Sequence, residues 1–279
     1  MGRAFSIHTF AGYLGGAIAP GMLLGIAAWQ GTRLAFAAAG LAGFVAIALL
    51  WAPGRAAVAG TAEPRKSAIS ARTNRRGRGS KVFTPAIFAL TFLFVMLSLS
   101  GASIQNFSVS ALVSGYGLPL ALANGALTAF LFASAFGVLV GGALADRTRH
   151  HGTVAAVALA GAALLVAAVA LFSVQGALLV ATLGLAGFLF GLIAPSRDML
   201  VRAAAPVGAE GRVFGIVSTG FNIGGAVGPV LFGWLLDNGR PQGIFGSAVV
   251  FMLFTAVISL LQERRTDRNR VAVSQLGVR

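Results

Sequence analysis

Six stretches of this chain carry no Lys, Arg, Asp or Glu: residues 4–32, 34–54, 82–145, 150–196, 213–236 and 241–262. They are 29, 21, 64, 47, 24 and 22 residues long. A helix crosses about 30 Å of hydrocarbon in roughly 20 residues, so the four shorter runs are each one span long. The 64-residue run makes two, with a turn near Ser114-Gly115-Tyr116-Gly117-Leu118-Pro119, where Gly and Pro interrupt the apolar pattern. The 47-residue run also makes two, broken around Ser173-Val174-Gln175-Gly176. Eight spans result. They are helices, because an open sheet leaves backbone groups unpaired in lipid and continuous apolar runs do not alternate as barrel strands do. The expected fold is all-α and polytopic.

Composition agrees. Of 279 residues, 57% are hydrophobic and 10% charged, against about 25% charged in a soluble domain. That is too little charge to cover a soluble enzyme of this size. The 21 Phe exclude a disordered chain, since disordered segments are polar and poor in aromatics. With no Cys, disulfide scaffolds, thiolate metal sites and Cys nucleophiles are excluded. Three His, two of them adjacent at His150 and His151, make no metal set. Neither a hydrolase triad nor a Walker string Gly-x-x-x-x-Gly-Lys-Ser/Thr is present, so an ATP-driven pump is unsupported. No catalytic residue and no cofactor is expected.

The formal net charge is +14. Nucleic acid is one partner such a charge invites. The membrane reading explains it more specifically, because Lys and Arg collect on the cytoplasmic side of membrane proteins. Eight spans starting from a cytoplasmic N-terminus leave only Arg33 and Arg240 outside, so 19 of the 21 basic residues lie inside. No nucleic-acid partner is needed. Both termini are then cytoplasmic, as is a basic linker, residues 53–82, holding Arg65-Lys66, Arg72, Arg75-Arg76, Arg78 and Lys81. That linker is placed to touch anionic lipid heads.

The chain also repeats itself. Gly2-Arg3-Ala4-Phe5-Ser6-Ile7 returns 209 residues later as Gly211-Arg212-Val213-Phe214-Gly215-Ile216. At the same offset Gly15-Gly16-Ala17-Ile18-Ala19-Pro20 matches Gly224-Gly225-Ala226-Val227-Gly228-Pro229. Without a gap, eight of the 19 positions in 2–20 are identical. Membrane helices share a composition, but composition does not place Arg, Phe and Pro in register, which favours duplication. Spans one and two then correspond to spans seven and eight. The unit has six helices, and the expectation is a twelve-helix design whose first four helices are missing here. Its domains are 1–52 (the last two helices of a first half), the 53–82 linker, 83–262 (a complete second half) and a cytoplasmic tail, 263–279.

With its residues in view, the sequence resembles the Major Facilitator Superfamily. Gly142-Ala143-Leu144-Ala145-Asp146-Arg147-Thr148-Arg149-His150-His151 is similar to that family's Gly-x-x-x-Asp-Arg-x-Gly-Arg-Arg loop between the second and third helices of a half. Here it lies between spans four and five, the matching place. Arg149 stands where the signature has Gly, and the two His where it has basic residues. The resemblance implies a gating loop of Gly142, Asp146, Arg147 and Arg149, in which Asp146 holds partners in one state and releases them in another. A loop whose charges only orient the chain is the plainer alternative.

A second string, Gly-x-x-x-Gly-Pro, is associated with antiporters of the family. Gly15-x-x-x-Ala19-Pro20 and Gly224-x-x-x-Gly228-Pro229 are similar to it. Gly15, Gly16, Gly224, Gly225 and Gly228 would let helices approach closely, while Pro20 and Pro229 would bend them. Ordinary close packing explains them as well. Pro195-Ser196-Arg197-Asp198-Met199-Leu200-Val201-Arg202 and the stretch from Phe214 to Pro229 resemble the fosmidomycin-resistance branch, which points to drug efflux from a bacterial plasma (inner) membrane.

Polar groups in lipid-crossing helices usually face a cavity or a partner. By resemblance the first and fifth helices of each half line the cavity, which selects His8, Gln105, Asn106 and Asn222. Each reads equally as a helix–helix hydrogen-bonding group, worth about 0.6 kcal/mol. No Asp or Glu is expected in mid-span, and Asp237 is interfacial. His8 is then the central titratable candidate.

The function expected is secondary active transport of a small organic molecule, proton-coupled efflux by alternating access, with no enzymatic activity. Its partners are the substrate, the proton and the lipid bilayer; nothing in the sequence sets an oligomeric state. A reading of another class stands beside it: a non-transporting membrane fragment, or an interaction partner of another membrane protein.

Overall fold

A computed structural model of the chain describes residues 2–60, 84–172, 174–206 and 208–275. The described residues form eight helices: α1 (Gly2–Gln30), α2 (Thr32–Gly60), α3 (Pro85–Tyr116), α4 (Leu120–Arg147), α5 (His151–Leu171), α6 (Gly176–Ala204), α7 (Glu210–Asp237) and α8 (Gln242–Gln275). All eight are long and apolar enough to cross a membrane. The protein is an all-α polytopic membrane protein. Both proposed breaks fall where the neutral runs had to divide, at Gly117–Pro119 and just before Gly176. The duplicated register also appears in the helix ends, since α1 moved along by 209 residues would cover 211–239 and α7 runs from Glu210 to Asp237.

Local chemistry sets the ends. Thr84 caps α3 by accepting the Ile87 N–H on its hydroxyl at 3.3 Å, and Pro85 occupies the first turn, where its missing N–H has no intrahelical partner to lose. At the far end Gly117 turns the chain with φ of 64°. α7 closes with Gly239 at φ of 66°. The Arg240 N–H reaches the Leu235 carbonyl at 2.8 Å and the Gly239 N–H reaches Leu236 at 3.0 Å. Those two bonds satisfy carbonyls that a helix end otherwise leaves open.

The chain divides into two compact units, Met1–Leu14 with Lys81–Arg279, and Gly15–Ser80. In the first, α3 packs most on α7 and α8, α4 most on α6, and α5 on α6 and α8. A large apolar core runs through it, centred on Ile104, Phe130, Leu159, Leu183, Phe232, Phe245 and Met252. A smaller one joins Leu90, Phe94, Leu200, Val201, Val213 and Val217 of α3, α6 and α7. In the second unit Gly31 (φ 86°) separates α1 from α2. Its large apolar side chains are mostly exposed, among them Trp29 at 83% and Phe36 at 78%. Such surface suits hydrocarbon rather than water.

Two helices run past the ends that the charges suggested. α2 continues to Gly60 and α8 to Gln275. The rest of the basic linker, residues 61–82, lies outside the described residues.

Candidate transport site

Glycines bring two helix pairs into backbone contact. On α4, a Cβ added at Gly137 would strike the Phe188 carbonyl and one at Gly141 the Leu192 carbonyl. Gly187 and Gly191 of α6 return the relationship against the carbonyls of Phe130 and Ser134. Across that contact the Ser134 hydroxyl donates to the Gly187 carbonyl at 2.9 Å. On the other side of the bundle Gly220 of α7 would meet the Thr91 carbonyl of α3, and Gly224 would meet Ser98 Cβ at 2.6 Å. Ser98 Oγ donates to the Phe221 carbonyl at 2.9 Å. Between the two pairs contact is thinner: α6 touches α3 and α7 less than it touches α4 and α5, and what joins them is the smaller core around Phe94, Val201 and Val217.

A charged pair lies at that thinner seam. Arg197 Nε donates to Asp198 Oδ1 at 2.8 Å, with the two side chains 12% and 11% exposed. The Arg197 Cζ sits 4.9 Å from the centre of the Phe94 ring on α3 and 5.1 Å from that of Phe221 on α7. The two rings meet edge to face at 4.8 Å. A cation held on ring faces is partly compensated for the water it has lost. Tyr13 of α1 is an electrostatic neighbour of both members of the pair.

The charge-free run ends at residue 196, whereas α6 continues through Arg197 and Asp198 to Ala204, which leaves the pair on the helix near its end. The reason is physical: adjacent opposite charges cancel, and the guanidinium is covered by aromatic faces, so neither residue stops the helix. Charge-free run length therefore undercounts this span.

The gating-loop residues take up the end of α4 and the turn after it. Gly142 is buried in α4, Arg147 stands in its last turn, and Asp146 and Arg149 are exposed. The turn is tied to a residue that the sequence did not single out. Glu263 of α8, 7% exposed, places Oε1 3.1 Å from His150 Nδ1. Its other oxygen accepts the Thr153 hydroxyl at 2.7 Å and also the Thr153 backbone N–H. A carboxylate on the first free N–H groups of a helix is favourable. Nearby, Gln262 Nε2 donates to the Ala86 carbonyl of α3 at 3.0 Å.

Of the other candidates, Gln105 is half-buried on α3, while Asn106 and Asn222 are exposed. The His8 side chain lies outside the described residues. Gly224 and Gly228 are buried in α7, whereas a Cβ at Gly225, Gly15 or Gly16 would have no described atom within 4 Å. Close packing is thus visible at Gly224 and not at the other three. Pro20 and Pro229 lie inside α1 and α7. Two cavities of about 330 Å³ mark opposite ends of the six-helix bundle. One is lined by Tyr116, Leu118, Phe172 and Gln175, the other by Asp198, Met199, Arg202, Glu210, Gly211 and Phe214.

Residues 91–277, or 187 of the 279, match the family model described as the Major Facilitator Superfamily. The chain belongs to that superfamily. As a major facilitator protein it is a secondary transporter of the lipid bilayer that binds a small-molecule substrate, and it is not an enzyme. No curated protein matches the sequence. The matched segment includes the α4–α5 turn, the Arg197–Asp198 pair and Glu263, so these polar features belong to the part of the chain that carries the family likeness.

Proposed function

We propose that this major facilitator protein exports a small organic molecule across a bacterial plasma membrane, exchanging it for protons by alternating access, with both termini cytoplasmic. The observation that carries the reading is the thinner seam between two glycine-packed helix pairs. Tightly packed pairs can move as blocks, and the seam between them, closed by the small core of Leu90, Phe94, Leu200, Val201, Val213 and Val217 and by the Arg197–Asp198 pair, is where a second arrangement would open. The Gly224-x-x-x-Gly228-Pro229 string on α7, with its twin ending at Pro20, supports the direction of export. Gln105, Asn106, Asn222 and His8 are the polar groups proposed for the substrate path, and Gly142, Asp146, Arg147 and Arg149 form the gate. Residues 1–52, 53–82, 83–262 and 263–279 serve as partial first half, basic linker, complete second half and tail.

The direct test is purified protein in liposomes with an imposed pH gradient, scored with a panel of amphipathic dyes including ethidium. Saturable flux that follows the gradient is expected. Flux no greater than that of protein-free liposomes, with insertion verified, overturns the reading.

A further inference from the structure

The outward face of α8 changes chemistry without changing direction. Val250, Leu253, Phe254, Val257 and Leu261 recur every three to four residues and are 46–53% exposed, so they share one stripe of the helix. The same spacing continues the stripe as Arg264, Arg265 and Arg268, all exposed, on a helix that runs unbroken to Gln275. At 1.5 Å per residue, these cations lie about 5–10 Å beyond Leu261 along the axis. That is the depth over which hydrocarbon gives way to lipid headgroups.

The acid on this part of α8 points the other way. Glu263 is buried against α5, where its oxygens accept the Thr153 hydroxyl and backbone N–H and meet His150 Nδ1. Gly152 permits that approach, because a Cβ there would strike the Ser259 carbonyl and the Glu263 side chain. These bonds also bring the α4–α5 turn to the end of α8, which adds the exposed Arg149, next to His150, to the same rim. Glu263 is therefore not available to neutralise the outward cations. From residue 264 to 279 the chain holds five Arg against one acid, Asp267.

We propose that this face of α8 is a docking surface for anionic phospholipid, whatever the protein carries. Acyl chains lie along the stripe from Val250 to Leu261, and the phosphate groups pair with Arg264, Arg265 and Arg268, with Arg149 at the edge. Charge complementarity selects the class of lipid. A zwitterionic headgroup brings a cation of its own, which the guanidinium groups repel, whereas phosphatidylglycerol brings a net negative charge. Arginine stays charged at every working pH and grips two phosphate oxygens at once. Each cation at the membrane surface favours anionic lipid by up to about fivefold. A soluble acidic partner would meet the same cations, but it would leave the apolar stripe that continues beneath them uncovered.

A reporter tryptophan on the stripe, Leu261→Trp, tests this in the full chain with Trp29, Trp51 and Trp234 changed to Phe. The protein is reconstituted in phosphatidylcholine liposomes that contain a small, equal fraction of brominated phosphatidylglycerol or brominated phosphatidylcholine. Quenching of the reporter then reads how far each lipid is enriched beside Arg264. The anionic lipid is expected to be enriched several-fold, and the enrichment to fall to near one in Arg264→Gln/Arg265→Gln/Arg268→Gln. Equal quenching by the two lipids with the arginines intact overturns the proposal, as does an enrichment that survives in the glutamine variant. A second reporter, Phe172→Trp at the opposite end of α5, should be indifferent to those substitutions; an equal fall there points to a general change of the protein and counts against the site. Salt provides a measurement that needs no arginine variant. Raising it from about 0.05 to 1 M screens the pairing, so the enrichment at the Leu261 reporter should shrink, and one that ignores salt refutes the proposal.

Discussion

Glu263 binds two partners of very different exposure. The His150 side chain, its ring nitrogen 3.1 Å away, is 70% exposed, whereas the Glu263 side chain is only 9% exposed. One bond therefore faces water and the rest are withdrawn from it. The exposed pair contributes little, because water and salt screen it. The bonds to Thr153 dominate, since a withdrawn acceptor that loses its donor keeps the full cost of desolvation.

Accordingly, His150→Ala should change stability by no more than about 1 kcal/mol. Thr153→Val, which strips one donor from Glu263, should cost about 1–3 kcal/mol. Thermal unfolding of the two variants in the same detergent checks this order, and a larger loss from His150→Ala would reverse the assignment.

Gly191→Ala places a methyl group on the Ser134 carbonyl, and Gly187→Ala places one on that of Phe130. Backbone cannot step aside as a flexible side chain does, so either change should cost on the order of 1–3 kcal/mol or more. Gly225→Ala meets no described atom within 4 Å and should be silent or mildly stabilising. Melting temperatures of the three variants, read side by side, test the packing.

Asp146→Asn should lower dye transport while leaving the inserted amount unchanged. The proposed gate gives this carboxylate partners in one state only, so its loss shifts the balance of states rather than the fold. Flux equal to wild type would reduce the turn to a signal for orientation.

Reporter fusions at Arg72 and Arg279 should both give cytoplasmic signals, following the 19 basic residues assigned to that side. An external signal at either position would overturn the proposed orientation.

The spans were legible because interruption by charge is a one-dimensional property, and hydrocarbon enforces it residue by residue. Arg197 and Asp198 escaped that logic. Their neutralisation depends on Phe94, more than a hundred positions earlier, and on Phe221, which no local window joins to them. Glu263 was obscured in the same way, since Glu263-Arg264-Arg265 reads locally as the start of a polar tail and its partners lie 110 and 113 positions away. The tight α4–α6 contact did leave a mark. Gly137-x-x-x-Gly141 and Gly187-x-x-x-Gly191 carry the small-residue spacing of close helix pairs, a signal hidden among the 38 Gly of the chain.

The place of the charged pair bears on how the chain enters the bilayer. An Arg or Asp resists insertion by up to roughly 2.5–3.5 kcal/mol at the centre of a helix and by less toward its end, where Arg197 and Asp198 lie in α6. Asp198 follows Arg197 directly on α6, so the two can neutralise each other as soon as both are made, and the ring of Phe94 already waits on α3. Phe221 is synthesised 23 residues after Asp198, roughly 1–5 s later at ribosomal speed. For that interval the newborn α6 holds its guanidinium with one aromatic wall instead of two. Full enclosure of this cation therefore waits until α7 has followed α6 into place beside α3.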